Sequence, residues 1–123
     1  MKHLPEDEQI FHDWLLRYIK KKHSREYKEI YINPSDERNH EYMGHYPDVI
    51  FSNYGQVLLI AEVETEISIT EEKAKEWKKM ASLGTKLIIL VPRQAKSRVI
   101  DLLWKNDLMG TVGVGEYEVI VNI

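Results

Sequence analysis

The sequence contains no cysteine, and this absence excludes disulfide bonds and thiolate metal sites. It also suits a reducing compartment, so we expect a cytoplasmic protein. No apolar run approaches the length of about 20 residues that a membrane-spanning helix needs, so we expect no membrane partner. The first eight residues carry no apolar segment typical of a signal peptide. Repeats and low-complexity segments are absent too, and we predict a single domain over residues 1–123.

The chain also lacks an excess of positive charge, because 17 Lys and Arg face 20 Asp and Glu for a net charge of −3. Proteins that bind nucleic acid usually carry a basic surface, since neutralised phosphates supply most of the non-specific affinity. The acidic total therefore argues against tight binding to a long duplex, although the lysines cluster locally. The five histidines show no spacing typical of a zinc site.

A first helix is predicted over residues 5–23. Phe11, Trp14, Leu15 and Tyr18 recur at i, i+3, i+4 and i+7, which predicts an apolar stripe facing the core. Acidic residues open the segment and three lysines close it, as the helix dipole favours.

Short apolar runs predict the strands that follow. Residues 27–32 alternate in character, and residues 49–51 and 57–61 are separated by a Ser-Asn-Tyr-Gly turn, which indicates a β-hairpin. The continuous run 87–91 predicts a strand covered on both faces. A strand, a helix and then a strand form a right-handed crossover, so this strand should lie parallel to the second strand of the hairpin.

Two more helices and a last strand complete the predicted order. Ser68 or Thr70 caps the second helix, Ala74, Trp77 and Ala81 form its buried side, and Gly84 ends it. A third helix is predicted over residues 94–105. The glycines at 110, 113 and 115 indicate a flexible turn, and residues 117–123 a last strand at an edge or a dimer contact. The expected fold is α/β, a central mixed sheet flanked by helices in the order α-β-β-β-α-β-α-β.

Three carboxylates are expected to converge at one side of the sheet. Glu62 and Glu64 lie two residues apart on a strand and therefore point to the same face. The hairpin brings Asp48 back towards Glu62. Carboxylates this close repel one another unless a cation lies between them, and hard oxygen ligands suit Mg²⁺ or Mn²⁺. The alternative is a set of solvated charges at a strand end, which we prefer for Glu66.

These residues resemble the signature of a known superfamily. Pro47-Asp48, a hairpin and then Glu62-Val63-Glu64 are similar to the motif of the PD-(D/E)XK nucleases, also called restriction-endonuclease-like. The usual pattern is Pro-Asp, a short spacer and Asp/Glu-x-Lys at the end of the next strand. The predicted element order from the first helix to residue 91 is also similar to the superfamily core. Glu64 departs from the pattern, since lysine is usual there, although some restriction enzymes carry Glu or Gln and remain active.

The resemblance implies a set of site residues. Asp48 and Glu62 would bind Mg²⁺ or Mn²⁺ with help from the Val63 carbonyl, and Glu64 would take a metal, a water or a proton. In many members a glutamate of the first helix adds to the metal site, and Glu8 is the candidate here.

Lysines of the second helix are the candidates to replace the lysine that position 64 lacks. Some members of the superfamily carry the active-site lysine on this helix, which implies that Lys73 orients the attacking water or holds the scissile phosphate. Lys78 is the second candidate and a nucleic-acid contact. A solvated helix face is the simpler interpretation for Lys75 and Lys79, and a core position for Trp77.

A few further residues are candidates for contact with phosphate. Arg93, Lys96 and Arg98 form a basic cluster at the start of the third helix, where a helix N-terminus favours anions, although a solvated face is the default. His40 and His45 precede the Pro-Asp motif in a polar loop and could touch a phosphate or act as a general base.

The expected function is metal-dependent hydrolysis of phosphodiester bonds in nucleic acid, DNA rather than RNA. A chain of this size has no separate recognition domain, so we expect a homodimer or a protein partner that supplies specificity. The alternative from another class is a catalytically decayed module on the same fold, in which Glu64 marks the lost activity and the surface serves a partner. A hydrolase for a different phosphate ester is a third interpretation.

Overall fold

A computed structural model describes residues 4–35 and 37–122, which form one mixed sheet flanked by helices. In chain order the elements are α1 (Glu6–Lys22), β1 (Glu29–Ile32), β2 (Val49–Asn53), β3 (Gln56–Val63), α2 (Glu71–Ala81), β4 (Lys86–Pro92), a 3-10 turn (Arg93–Ala95), α3 (Lys96–Lys105) and β5 (Gly113–Tyr117). This order confirms the predicted α/β class. None of the helices in these ranges is long and apolar enough to cross a membrane.

The five strands lie side by side in the order β1-β2-β3-β4-β5. The first three form an antiparallel meander, with Val49 opposite Ala61. The last two run parallel to β3, with Ile89 beside Glu62. The predicted hairpin and the parallel pairing of β4 with β3 are therefore confirmed, and the hairpin places the carboxyl end of β3 beside the start of β2.

Alternation along the strands divides the core into two layers. Ile60 and Ile89 pack with Trp77 under α2 and α3, whereas Ala61 and Val63 pack under α1. Glu62 lies between Ala61 and Val63, so its side chain belongs to the face that α2 covers. The sheet thus carries the acidic residues of β3 into a buried layer rather than to the surface.

The inward face of α1 differs from the predicted one. Trp14 and Tyr18 are 53% and 49% exposed, and the buried residues are His12, Leu15 and Leu16. The helix has apolar residues on two sides, and the pair Leu15-Leu16 takes the sheet side. The two exposed rings stack on each other with centroids 5.4 Å apart on the outer side.

The end of the chain also corrects the prediction. The last strand is β5 (Gly113–Tyr117), not residues 117–123, and Gly113 and Gly115 lie within it rather than in a turn. An added Cβ on Gly115 would lie 3.1 Å from Leu90 Cδ1, and one on Gly113 3.3 Å from Ile88 Cγ1. Glycine suits these two positions because side chains of β4 lie against the backbone of β5 there, and a larger residue would contact them closely. Residue 123 lies outside the described residues.

Coverage of β4 is also less complete than predicted. Leu87, Ile89 and Val91 are buried, but Ile88 and Leu90 on the other face are only half-buried. They line an apolar cleft of about 290 Å³ beside α1. One helix covers this face, whereas two cover the opposite one, and this difference explains the exposure.

Glu29 closes the β2–β3 turn. Its carboxylate accepts hydrogen bonds from the Gly55 N–H (3.0 Å), the Tyr54 N–H (3.2 Å) and the Ser52 hydroxyl (3.0 Å). The bond from Gly55, with those from Ser52 and Tyr54, lowers the pKa of Glu29 below its ordinary value of 4.5.

We expect Glu29→Gln to be less stable than the wild type at about pH 6 and to lose less stability than the wild type as the pH falls to about 3. The folded pKa lies below the unfolded one, so the carboxylate contributes stability above pH 4.5 and loses it as the pH falls through the folded pKa. Denaturant midpoints from about pH 6 to about pH 3 measure the effect, with the exposed Glu41→Gln as the control. Identical pH profiles for the wild type and Glu29→Gln would contradict the expectation.

Candidate active site

Asp48 and Glu62 are fixed to each other by backbone hydrogen bonds. The Asp48 N–H donates to Glu62 Oε2 at 2.8 Å, and the Val63 N–H donates to Asp48 Oδ2 at 2.8 Å. Both side chains are buried. Each carboxylate therefore has one oxygen held by the backbone of the other strand, and the expected convergence of these two residues is confirmed.

His12 is a third member of this cluster that the sequence analysis missed. It lies in α1, is fully buried, and its Nε2 is 3.1 Å from Asp48 Oδ2, while Nδ1 is 2.9 Å from Asp13 Oδ1. A signal was available, because His12, Leu15, Leu16 and Ile19 recur at i, i+3, i+4 and i+7. A histidine on an apolar helix face must find polar partners inside the protein.

Asp13 links this cluster to the loop that follows β1. Its Oδ1 accepts hydrogen bonds from both the N–H and the hydroxyl of Ser35, each at 3.0 Å. His12 therefore lies between two carboxylates, one anchored to β3 and one to the loop. This arrangement holds α1, β2 and the loop in a fixed relation around Asp48.

Both carboxylate oxygens of Glu64 are engaged. The Ser68 hydroxyl donates to Oε1 at 2.7 Å and the Trp77 indole N–H donates to Oε2 at 2.9 Å, while the side chain is fully buried. The Tyr117 hydroxyl donates to the Glu64 carbonyl at 2.8 Å. Glu64 thus joins the end of β3 to α2 and β5.

Lys73 reaches the cluster from the first turn of α2. Thr70 caps this helix by accepting the Lys73 N–H at 3.1 Å, so the cap is Thr70 rather than Ser68. The ammonium lies 3.5 Å from Glu62 Oε1 and 3.9 Å from Glu64 Oε2. Lys73 of α2 thus places an ammonium group beside Glu62 and Glu64, where position 64 itself carries no lysine.

Burial and neighbouring charges separate the ionisation of the two central carboxyls. Burial opposes ionisation of Asp48, but the charge and hydrogen bond of His12, with Lys73, lower its pKa below the ordinary value. Burial and the negative charge of Asp48 raise the pKa of Glu62 to about 8, against the opposing effect of Lys73. Glu62 is thus the carboxyl that ionises with difficulty unless a further cation is present.

The two cationic groups respond to the same carboxylates. Burial alone would lower the pKa of His12, but Asp48 and Asp13 outweigh it and raise this pKa to about 9. Burial would likewise lower the pKa of Lys73, and the carboxylates of Glu64 and Glu62 raise it above its ordinary value. Both groups are therefore charged at neutral pH.

A cleft of about 280 Å³ opens above Glu62 and Lys73. Arg38, His45 and Tyr46 line one part of it, and Glu76, Lys79 and Met80 of α2 line another. His40 instead packs against Tyr31, with ring centroids 4.8 Å apart and the ring planes tilted by 35°. Of the two candidate histidines, His45 is the one that lines this cleft.

Several predicted site residues lie elsewhere. Glu8 lines a separate cleft with Phe11 and Tyr117. Burial is the main cause of the raised pKa of Tyr117, and the negative charge of Glu8 raises it further. Among the described contacts none joins Glu8 to Asp48 or Glu62. α1 contributes His12 at this point, one helical turn further along.

The predicted basic cluster is largely paired with acidic groups. Arg93 and Lys96 lie within 3.5 Å and 3.0 Å of Glu116 carboxylate oxygens, and Arg98 donates to the Glu66 carbonyl at 2.8 Å. Lys78 is exposed on α2. No local pattern predicted this pairing, because Glu116 enters from β5, which β4 brings alongside the start of α3.

Asp48 and Glu62 fit a magnesium ion in number and in chemistry. Over residues 4–35 and 37–122 no group of three or more His, Cys, Asp or Glu side chains could hold a metal. Mg²⁺, however, keeps several waters and needs only one or two carboxylates. Asp48 Oδ1 and Glu62 Oε1, the oxygens not fixed by backbone N–H groups, would hold the ion, and Glu62 Oε1 also lies 3.5 Å from the Lys73 ammonium. No family model, curated protein or solved structure matches the chain.

Proposed function

We propose that this protein is a Mg²⁺-dependent phosphodiesterase that cleaves nucleic acid, with DNA the preferred substrate. The observation that carries the proposal is the backbone-fixed pair of Asp48 and Glu62 at the floor of a cleft, with the Lys73 ammonium 3.5 Å from Glu62. The element order and the Pro-Asp hairpin support a restriction-endonuclease-like core. Mn²⁺ would satisfy the same oxygen ligands.

In this proposal each residue of the site has a separate role. A Mg²⁺ ion held by Asp48 and Glu62 would neutralise charge at the phosphate and lower the pKa of a nearby water. Lys73 lies beside this position and binds a phosphate oxygen. His12 holds Asp48 by its Oδ2, which keeps the other oxygen available. The buried, paired arrangement fixes these groups before the substrate binds, and such preorganisation favours catalysis.

Glu64 takes a structural role in this proposal. The sequence analysis assigned it to the metal and to catalysis, but its two oxygens are engaged by Ser68 and Trp77. Its charge lies 3.9 Å from the Lys73 ammonium and helps to hold that side chain over the cluster. Glu64 thus replaces the usual lysine by positioning a lysine from the neighbouring helix.

Substitution of Lys73 tests its assigned role. We expect Lys73→Met to reduce Mg²⁺-dependent cleavage by about 10²- to 10³-fold, because an electrostatic group at the phosphate is lost. Mg²⁺ binding should persist or strengthen, since a competing cation is removed from Glu62. Calorimetric titration with MgCl₂ and cleavage of labelled DNA oligonucleotides measure the two effects.

The exposed Lys75→Met on the same helix is the matched control and should retain wild-type cleavage. Loss of Mg²⁺ binding in Lys73→Met, or unchanged cleavage, would exclude this role. If the wild type itself neither binds Mg²⁺ nor cleaves nucleic acid, the enzyme proposal fails.

A partner-binding module is the second candidate, and the outer face of α1 favours it. Ile10, Trp14 and Tyr18 expose about half or more of their surface at 61%, 53% and 49%. Large exposed apolar groups in one stripe are typical of an interaction surface. A protein partner or a second copy of the chain would cover this stripe, and sedimentation at increasing concentration tests the homodimer.

A further inference from the structure

The loop between β1 and β2, described over residues 33–35 and 37–48, is fixed in place although it lies outside the strands. The Asn33 side chain donates to the carbonyls of His40 (2.9 Å) and Pro47 (2.7 Å) and accepts the His40 N–H at 2.9 Å. Asn33 is buried. The Asn33 side chain thus satisfies backbone groups of both His40 and Pro47. These bonds hold the loop in place, and it forms one wall of the cleft.

A tight turn within this loop faces the cleft. Tyr42 and His45 pair through two backbone hydrogen bonds of 2.7 and 2.9 Å, and the turn between them has φ values of +50° and +84° at Met43 and Gly44. The Tyr42 hydroxyl hydrogen-bonds to the Thr85 hydroxyl at the start of β4. The turn is therefore anchored to the sheet on the side from which Glu62 enters the cleft.

The wall presents one aromatic ring and one cation to the cleft. Tyr46 lines it and is 41% exposed, and it precedes Asp48 by two residues. Arg38 lines the same cleft, with Lys79 on α2. Over residues 4–35 and 37–122, neither Arg38 nor Lys79 forms an ion pair, in contrast to Arg93 and Lys96.

The dimensions and charges of the cleft favour a single strand over a duplex. A volume of about 280 Å³ lies just below the range for ligand sites, roughly 300–1,000 Å³. Glu62 is only 5% exposed at its floor, so a scissile phosphate must enter the cleft to meet it. Tight duplex binding uses many phosphate contacts, whereas a single strand needs a short basic groove and aromatic rings on which unstacked bases lie.

We propose that the cleft binds single-stranded nucleic acid, with a base stacked on Tyr46 and the adjoining phosphates held by Arg38 and Lys79. The inference rests on the proposed phosphodiesterase function and adds the substrate class. Tyr46 lines the same cleft as Glu62 and Lys73, so a base on the ring brings the neighbouring phosphate into the cleft that holds these groups. The net charge of −3 agrees with a short contact rather than a long duplex track.

Binding and cleavage are measured separately on the full chain. Fluorescence anisotropy in EDTA gives the affinity for a labelled DNA strand of about ten nucleotides and for its duplex. We expect the single strand to bind about tenfold or more tightly, and Tyr46→Leu to lose about tenfold of that affinity while Tyr46→Phe retains it. Lys79→Ala should weaken binding and reduce its salt dependence.

The control is Tyr18→Leu, a tyrosine of similar exposure on the outer face of α1, which should bind as the wild type does. Equal affinity of Tyr46→Leu and wild type, or a preference for duplex with Mg²⁺-dependent duplex cleavage, overturns the inference and leaves the nuclease proposal standing. Absence of both binding and Mg²⁺-dependent cleavage with either substrate overturns the proposed function and the inference with it.

Discussion

Replacing Glu62 by glutamine is expected to abolish cleavage and, in the absence of metal, to make the protein more stable. The loss of activity should reach about a thousandfold, because a metal ion supplies several kcal/mol of transition-state stabilisation and each 1.36 kcal/mol is a factor of ten. Glutamine keeps an oxygen that can accept the Asp48 N–H. The two opposite effects identify a residue retained for function rather than for folding.

The gain in stability follows from the pKa of Glu62. Its folded value of about 8 lies above the ordinary 4.5, so its contribution to stability is present below pH 4.5 and is lost as the pH rises through about 8. A neutral side chain avoids this loss, and we expect Glu62→Gln to raise the free energy of unfolding by about 1–3 kcal/mol at neutral pH. Urea denaturation in EDTA measures it.

Magnesium should reverse the order of stability. At 100 times its Kd the ion would stabilise the wild type by about 2.7 kcal/mol, whereas Glu62→Gln should gain little. Glu72→Gln, an exposed substitution on α2, is the control for the loss of one negative charge. A Glu62→Gln protein that is less stable than the wild type in EDTA, or that still cleaves, would contradict the assignment.

The second large effect is expected at His12. Removing it leaves Asp48 and Asp13 without their shared partner inside the protein, and breaking a buried charged pair costs about 3–5 kcal/mol. We expect His12→Asn to lose stability of this order. The half-buried His23, whose side chain is 33% exposed and whose Nδ1 lies 2.6 Å from Glu26 Oε2, is the matched control, and His23→Asn should cost about 1 kcal/mol or less.

The pH dependence distinguishes an ionic role of His12 from simple packing. Its folded pKa of about 9 exceeds the ordinary 6.5, so its contribution is fully present below pH 6.5 and is lost as the pH rises through about 9. The wild type should therefore lose more stability across this range than His12→Asn, which retains only the loss that Glu62 causes up to about pH 8. A double-mutant cycle with Asp48→Asn isolates the pair. Equal pH profiles for wild type and variant would exclude the ionic role.

The sequence allowed the element order to be predicted because local patterns decide it. The hairpin turn, the Thr70 cap and the apolar run of β4 each depend on residues close together in the chain. Alternation along β3 likewise placed Glu62 and Glu64 on one face, and the hairpin brought Asp48 to Glu62. Lys73 was singled out by the superfamily resemblance together with its place in the first helical turn after the Glu64 end of β3.

Periodicity predicted the buried side of α1 only in part, and it misplaced the last strand. Of the predicted stripe, Leu15 is buried and Phe11 packs against the core, whereas Trp14 and Tyr18 are exposed. The sheet instead accepts Leu16 beside Leu15, in one cluster with Val49 and Val63. Glycines that suggest a turn instead accommodate Leu90 across β5. Each error concerns packing between elements that are distant in the chain, which a local pattern does not record.

The amino-acid sequence by itself determined the α/β order and the meeting of Asp48 with Glu62, because strand alternation and short turns are local properties. Only the tertiary structure decided the environment of that pair. His12, which lies 36 residues before Asp48 in the chain, contacts it from α1. The Trp77 indole N–H donates to one oxygen of Glu64, and Glu116 of β5 forms an ion pair with Lys96. These contacts set which carboxyl ionises and which cations remain for a substrate, since burial and charge depend on neighbours brought together by packing.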